Sequence, residues 1–226
     1  MRICQGNVAG SGVIFREDFA SWTSISDNGG IVVASALPTG GGISPTGISG
    51  RVTYGGTEAL LINATQMTVE MRFKAGTARA VLCPIVVKGN ATTPDYQFLF
   101  LQGTGNEGVF YVPTAANDAG TYNKTIASYV TGTEYVVHAV FNGALAAASR
   151  AAIYKNGLLD PSTMFGTIPA VIRANAIPLT LFNYQAFAAN SPSNDFILRR
   201  IQIYNFALSA ADVALAAVDR LNLGVL

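Results

Sequence analysis

The fold is decided by residues 67–73, which read MTVEMRF. The first, third, fifth and seventh residues of this stretch are apolar, and the three between them are polar or charged. Because successive side chains of a β-strand point to opposite faces, the alternation predicts a strand with one buried face. Glu70 belongs to the polar face, where we expect it to be a solvated strand residue.

Further strands are predicted after this one. Apolar, β-branched and aromatic runs bounded by Gly, Pro or Asn favour strands at residues 79–87, 96–102, 109–112, 134–142, 150–155, 177–182 and 196–204. Pro84 interrupts the first of these runs and indicates a bulge or an edge position. Roughly ten strands in a chain of this length are typical of a β-sandwich or jelly roll.

Two glycine-containing segments predict tight turns. Asn156-Gly157 is the strongest short-range signal for a type I′ hairpin turn. Residues 103–108, GTGNEG, match the G-x-G-x-x-G pattern of dinucleotide sites. That site needs a helix directly after the glycine loop, whereas a predicted strand follows here. We therefore interpret residues 103–108 as the turn of a hairpin.

The end of the chain is the one part with a helical pattern. Ser209 can cap a first helical turn, and Asp212 stands three residues further on, as in a capping box. An alanine-rich segment follows as far as Leu221. The prediction is a short helix after the last strand.

Residues 201–212, IQIYNFALSAAD, resemble the closing strand and helix of the concanavalin A-like, laminin-G-like jelly rolls. Three other stretches resemble earlier strands of that family in the family's order: residues 67–73, 134–143 and 152–157. The resemblance implies an all-β, concanavalin A-like jelly-roll sandwich with a short C-terminal helix, and a single domain over residues 1–226. Residues 1–60 match only loosely, and they either form the first strands or include an N-terminal assembly arm that leads into them.

The sequence departs from the family where charge and metal ligands are concerned. An acidic pair often precedes the closing strand of the family, and Arg199-Arg200 stand in its place. Calcium sites in such modules take carboxylate and carbonyl oxygens from rim loops. Asn117-Asp118 offer part of such a set, but no acidic cluster accompanies them. We expect no cofactor and no metal.

Catalytic constellations are absent from the sequence. Glucan hydrolases on this fold place two carboxylates at alternate positions of one strand, and no such pair occurs here. His138 is the single histidine, which rules out a multi-histidine metal site, and we interpret it as a packed or edge residue. Cys4 and Cys83 are predicted to be free thiols without a nucleophile context. The prediction is a protein that is not an enzyme.

Composition limits the partners. Of 226 residues, 50% are hydrophobic and 12% are charged, about half the usual charged fraction, and the formal net charge is +1. Nothing in this balance attracts a phosphate backbone or an anionic membrane, so nucleic acid and membrane are not expected. The N-terminal residues carry no apolar signal segment. We expect synthesis in a host cytoplasm without a signal peptide.

Two functions fit these observations. The first is a virion structural protein, either a capsid-decoration or a tail-associated phage subunit, which acts through contacts with other virion proteins and forms a homo-oligomer, because assembly interfaces are depleted in charge. The alternative is a carbohydrate-binding module that recognises host-surface glycans. Aromatic side chains supply stacking surfaces for sugars, and Trp22 and Tyr122 are the predicted glycan contacts because their polar surroundings are typical of loops.

Overall fold

The computed structural model describes residues 12–19, 25, 30–33, 36–38, 41–90, 95–115, 120–184 and 190–222. These residues form sixteen strands, one α-helix and a short 3-10 turn at Ala147–Ser149. The elements in chain order are β1 (Val13–Glu17), β2 (Gly30–Val33), β3 (Ala36–Pro38), β4 (Ile43–Pro45), β5 (Arg51–Tyr54), β6 (Gln66–Lys74), β7 (Cys83–Asn90), β8 (Asp95–Gln102), β9 (Gly108–Tyr111), β10 (Tyr122–Thr125), β11 (Glu134–Asn142), β12 (Ala151–Lys155), β13 (Leu158–Leu159), β14 (Ser162–Phe165), β15 (Leu179–Leu181), β16 (Ile197–Tyr204) and α1 (Ala210–Asn222).

The strands make two antiparallel sheets. The first sheet has the order β13-β12-β11-β6-β16-β4-β3, and β1 also pairs with β16. The second sheet has the order β14-β10-β9-β8-β7-β15-β5-β2. Consecutive strands pair in the runs β7 to β10 and β11 to β13. Other neighbours, such as β6 with β16 and β5 with β15, come from distant parts of the chain, as in a jelly roll and unlike a simple meander. The predicted all-β jelly-roll sandwich with a short C-terminal helix is confirmed.

The alternating strand at the centre of the first sheet is β6. Its inward side chains, Met67, Val69, Met71 and Phe73, are all fully buried in the main core. The second sheet supplies the opposite wall of that core through Phe98, Phe100 and Phe110 among others. Close ring contacts join parts of the core, such as the stacked pair Phe73 and Phe196 with centroids 5.1 Å apart. One apolar layer between the sheets therefore holds the sandwich together.

Local signals in the sequence are confirmed at several positions. The bulge in β7 lies at Pro84, and the hairpin of β8 and β9 turns through residues 103–107. Asn156 and Gly157 have φ angles of 52° and 87°, as a type I′ turn requires. At the start of α1, Asp212 N donates to Ser209 Oγ at 3.2 Å, and Ser209 N donates to Asp212 Oδ2 at 3.2 Å.

One prediction for the outer face of the first sheet is wrong. Glu70 was expected to be solvated, but its side chain is fully buried. The hydroxyl of Tyr204 on β16 donates to Glu70 Oε2 at 3.0 Å, and His138 Nε2 on β11 lies 3.5 Å from the same oxygen. Polar groups from both neighbouring strands therefore replace water around the carboxylate. The prediction that His138 is a packed residue is confirmed, because it is fully buried.

The first sixty residues contribute strands to both sheets. β1, β3 and β4 join the first sheet, and β2 and β5 join the second. Residues 1–11 and several short segments before residue 41 lie outside the described residues. Within the described part of the chain, no helix is both long and apolar enough to cross a membrane.

Replacing Gly157 tests how tightly the hairpin turn packs under α1. A Cβ at Gly157 would lie 3.1 Å from the Cβ of Ala217 on α1, in addition to the strain of its positive φ. Gly132 is the matched control, because its φ is 82° and no atom lies within 4 Å of a Cβ built there. We expect Gly132→Ala to lose about 1 kcal/mol of unfolding free energy. Gly157→Ala should lose clearly more unfolding free energy than Gly132→Ala when both are measured by urea unfolding. Equal losses would contradict the close contact between the hairpin turn and α1.

Candidate functional site

One row of side chains crosses the outer face of the second sheet from edge to edge. Each member is the direct cross-strand partner of the next, in the order Ile31, Thr53, Thr180, Val87, Leu99, Tyr111, Tyr122 and Phe165. Directly opposed side chains on one face lie close enough to contact each other. From Ile31 at the β2 edge, the row therefore passes through two threonines and two aliphatic residues to an aromatic end.

The aromatic end is part of a larger surface, which we call the tyrosine face and define as Tyr96, Tyr111, Tyr122, Tyr184 and Phe165. The ring centroids of Tyr111 and Tyr122 are 4.7 Å apart, and those of Tyr122 and Phe165 are 4.6 Å apart with planes inclined by 22°. Tyr96 and Tyr184 form a second pair at 5.9 Å. Rings held this closely by their neighbours lose little further freedom when a ligand binds.

An apolar floor lies beneath the tyrosine face. It is a second hydrophobic cluster, separate from the main core, and consists of the buried residues Val87, Leu99, Leu101, Val109 and Tyr111. Tyr96, Tyr122 and Tyr184 pack against it and remain half-buried, whereas Phe165 is 40% exposed. Tyr96, Tyr122 and Tyr184 are therefore held against the cluster and partly exposed, whereas the Tyr111 ring is buried between its neighbours.

Gly89 leaves room for the ring of Tyr96. A Cβ at this position would come within 2.7 Å of Tyr96 Cδ1. The two residues are cross-strand partners next to a bulge in the pairing of β7 with β8. A side chain at position 89 would push the Tyr96 ring away from the sheet.

Two ion pairs border the tyrosine face. Lys124 lies two residues after Tyr122 on β10, hence on the same side of the sheet, and its Nζ is 2.9 Å from Glu107 Oε1. Burial acts to raise the pKa of Glu107, but hydrogen bonds from Lys124 and from the backbone N–H of Gly105 outweigh it, so that pKa is lowered. At the other end of β8, Arg173 pairs with Asp95 and donates to the carbonyl of Tyr96 at 2.9 Å.

A buried lysine supports the Tyr96 end of the face. Lys88 Nζ donates to four oxygens: Glu58 O at 2.8 Å, Ile177 O at 2.9 Å, Asn175 Oδ1 at 3.1 Å and Asn175 O at 3.3 Å. We call this arrangement the lysine cage. Its lysine side chain is fully buried. Desolvation lowers the pKa of Lys88 to about 8, although Glu58 and Asp95 act in the opposite direction.

The residues predicted from the sequence as ligand contacts have different positions in the structure. Tyr122 is on the tyrosine face, but it begins a strand instead of lying in a loop, because its backbone pairs with β9 and β14. Trp22 and Asn117-Asp118 lie outside the described residues. Among the described residues, no three His, Cys, Asp or Glu side chains come together as a metal site. The predictions for these residues as ligand contacts remain untested.

Other candidates take structural positions. Arg199 is paired with Glu134 at 2.9 Å, and Arg200 is paired with Asp18, so the reversed charges near the closing strand have partners within the sandwich. Cys83 is a free buried thiol. Tyr54 and Tyr129 belong to the main core. Phe165 and Lys88 were missed, since nothing in their immediate sequence distinguishes them from ordinary strand residues.

Comparisons with known proteins support the fold. No protein-family model and no curated protein matches the sequence. Among solved structures, the receptor-binding domain of botulinum neurotoxin C/D mosaic serotype is similar with a TM-score of 0.68 and 12% identity, over 92% of this chain and 51% of that chain. Trypanosoma rangeli sialidase in complex with a difluorinated nononic acid gives a TM-score of 0.64 and 14% identity, over 97% of this chain and 34% of that chain.

These likenesses concern architecture. The chain spans about a third to a half of the solved proteins that it matches. At such low identity the similarity establishes the fold alone, which is a β-sandwich.

The lysine cage makes stability depend on pH in a defined direction. Since the pKa of Lys88 is about 8 in the folded protein and near 10.5 in the unfolded chain, the unfolded chain binds more protons between those values. The unfolding free energy of the wild type should therefore rise with pH relative to Lys88→Met, by up to about 1.4 kcal/mol per pH unit. Urea unfolding of both proteins between pH 7 and 10 measures this difference. The other titrating groups are the same in both proteins, so their contributions cancel.

Lys124→Met is the control for this measurement, because it removes an ammonium that is partly exposed and paired with Glu107. The difference in unfolding free energy between Lys88→Met and the wild type should change with pH more steeply than the difference between Lys124→Met and the wild type. A difference for Lys88→Met that does not change with pH would contradict the buried position of the ammonium.

Proposed function

We propose that this chain is a non-enzymatic glycan-binding module and that the tyrosine face is its binding surface. The observation that carries the proposal is the continuous aromatic row of Tyr111, Tyr122 and Phe165 on the outer face of a sheet. Aromatic rings on the outside of a sandwich do not contribute to the core between the sheets, and a partly exposed aromatic surface is typical of a binding site.

Sugar rings suit such a surface in shape and chemistry. The C–H groups on one side of a pyranose ring form an apolar patch, which can lie flat on an aromatic ring. Tyrosine also offers a hydroxyl at the ring edge for hydrogen bonds to sugar hydroxyls. Burial raises the pKa of both Tyr96 and Tyr184, so these phenols stay protonated and remain hydrogen-bond donors well above neutral pH.

The expected ligand is a neutral glycan. The cations that border the face, Lys124 and Arg173, are already paired with Glu107 and Asp95. An acidic sugar would have to compete with these carboxylates for the same cations. Neutral hexoses meet no such competition and stack on the rings directly.

The same carboxylates argue against hydrolysis. Glu107 lies in the turn after β8 and Asp95 at the start of that strand, so about 20 Å of extended chain separates them. Glycosidases hold their two carboxyl groups about 5–10 Å apart, and one must be protonated. Because the pKa of Glu107 is lowered, this group is unsuited to the role of acid.

Replacing Tyr122 tests the binding surface. Tyr122→Ala removes the central ring of the row, and we expect at least a tenfold loss of affinity for any neutral glycan found on an array, equivalent to about 1.4 kcal/mol. Tyr154→Ala is the matched control, because Tyr154 is half-buried on the opposite sheet. Equal affinity of the Tyr122→Ala and Tyr154→Ala variants, or binding restricted to sialylated glycans, would contradict the proposal. Trp22→Ala tests the remaining predicted contact in the same assay.

A second proposed function is assembly, the virion structural role expected from composition. It is supported by an apolar edge of the first sheet, where Leu158 and Leu159 on β13 are 74% and 62% exposed and Leu215 and Val218 on the adjacent α1 are 67% and 54% exposed. An apolar edge strand invites pairing with another chain. A capsid or tail protein that also binds glycans would use the two surfaces separately.

Sedimentation tests assembly. The wild type should form trimers or larger species, and Leu158→Lys with Leu159→Lys should shift it towards monomer. Ile31→Lys is the control, because Ile31 is 62% exposed on the edge strand β2 of the other sheet and should leave the assembly unchanged. A wild type that stays monomeric at high concentration would overturn the assembly proposal.

A further inference from the structure

Three loops at one end of the sandwich form an uncharged aliphatic surface. They are residues 59–65, 142–149 and 166–172. No Asp, Glu, Lys, Arg or aromatic residue occurs in any of them. Each loop exposes one large aliphatic side chain, since Ile62, Leu145 and Val171 are 42%, 46% and 42% exposed. We call the three loops together the aliphatic rim.

Backbone hydrogen bonds join the three loops. The first loop leads into the start of β6 and the second leaves the end of β11, and these strand ends lie side by side. The N–H of Gly143 in the second loop donates to Thr65 O in the first at 2.7 Å. The N–H of Ile172 in the third loop donates to Ala64 O in the first at 2.8 Å. The rim is therefore one connected surface.

Arg150 connects the second loop to the third. Its Nε donates to Leu145 O at 2.9 Å, and its Nη1 donates to Ile168 O at 2.7 Å. Backbone groups that enter hydrocarbon must be paired within the protein, because no water replaces their lost hydrogen bonds there. The bonds from Arg150 and those between the loops meet this requirement for several carbonyl and N–H groups of the rim.

The opposite end of the sandwich also exposes aliphatic side chains, but charged loops surround them. Ile126 and Val130 are 68% and 64% exposed in the loop before β11. This loop is hydrogen-bonded to the loops that carry Arg79 and Glu107. Charged groups oppose entry into hydrocarbon. Of these two apolar surfaces, the aliphatic rim is therefore the one suited to a lipid surface.

The composition of the rim favours lipid over a protein partner. The residues that contribute most to protein interfaces are Trp, Tyr and Arg, whereas Leu and Val are under-represented among them. The three loops contain no aromatic residue, and the guanidinium of Arg150 is already hydrogen-bonded within the rim. Aliphatic side chains on loops with paired backbone groups match the hydrocarbon just below lipid headgroups.

We propose that the aliphatic rim docks this protein on a lipid bilayer and that Ile62, Leu145 and Val171 insert between the lipid headgroups. No membrane partner was expected from the sequence, because a net charge of +1 attracts no anionic lipid. An uncharged rim needs no such attraction and suits a zwitterionic bilayer, in which interfacial apolar faces are buried by about 5–10 Å. This docking does not depend on the proposed glycan binding.

Flotation with phosphatidylcholine vesicles tests the rim. The wild type should float with the vesicles, and the double variant Leu145→Asp, Val171→Asp should bind them at least tenfold more weakly, because a carboxylate is costly to place in a bilayer. Val130→Asp is the matched control, since Val130 is 64% exposed before β11 and about 30 Å of strand separates it from Leu145. A wild type that does not float, or equal vesicle binding by the double variant and Val130→Asp, would overturn the proposal.

A fluorescence measurement keeps the test decisive if the double variant does not fold. Leu145→Cys, labelled with the dye NBD in a Cys4→Ser, Cys83→Ala background, should shift its emission to the blue when vesicles are added. The same dye on Val130→Cys should show no shift. The proposal is wrong if the dye at position 145 does not respond to vesicles. It is equally wrong if that dye shifts without vesicles as the protein concentration rises, because the rim is then a contact between copies of the chain.

Discussion

The structure depends on the register of β6 between its two neighbours. Nine residue pairs join β6 to β11, from Glu134 with Lys74 to Asn142 with Gln66, and β16 pairs along its other side. Because side chains alternate along a strand, a slip of one residue would turn Glu70 into the core and Met71 out of it. The burial of apolar side chains on one face of β6 therefore sets the register, and the register brings Glu70, His138 and Gln202 together on the opposite face.

A sandwich in which 12% of residues are charged must cover two outer faces with other groups. The first sheet does so with α1, whose Val213 and Ala217 are buried, and with hydrogen-bonded polar residues. The second sheet instead places aromatic rings over an apolar floor. Because of this difference between the two outer faces, we propose the tyrosine face as the binding surface. The difference also relates the low charged fraction, which first suggested assembly, to a specific surface for which we propose glycan binding.

Local patterns were enough to predict β6, β11, the Asn156-Gly157 turn and the cap of α1, because each depends on residues close together in the sequence. Strands of two to four residues, such as β10, β13 and β14, were missed because they are too short to show an alternating pattern and are defined by their pairing with other strands. Glu70 was predicted to be solvated for a related reason, since its hydrogen-bond partner comes from β16. The sequence singled out Tyr122 as a sugar contact, and only the cross-strand register places Tyr111 and Phe165 on either side of it.

The central claim is that a neutral sugar lies on the tyrosine face. The most direct measurement is a crystal structure of the protein soaked with a neutral oligosaccharide selected from a glycan array. A sugar ring parallel to Tyr122 or Phe165, within about 4 Å of the aromatic carbons, is the predicted result. An oligosaccharide bound to the first sheet or to another surface, with the tyrosine face bare, would contradict the claim.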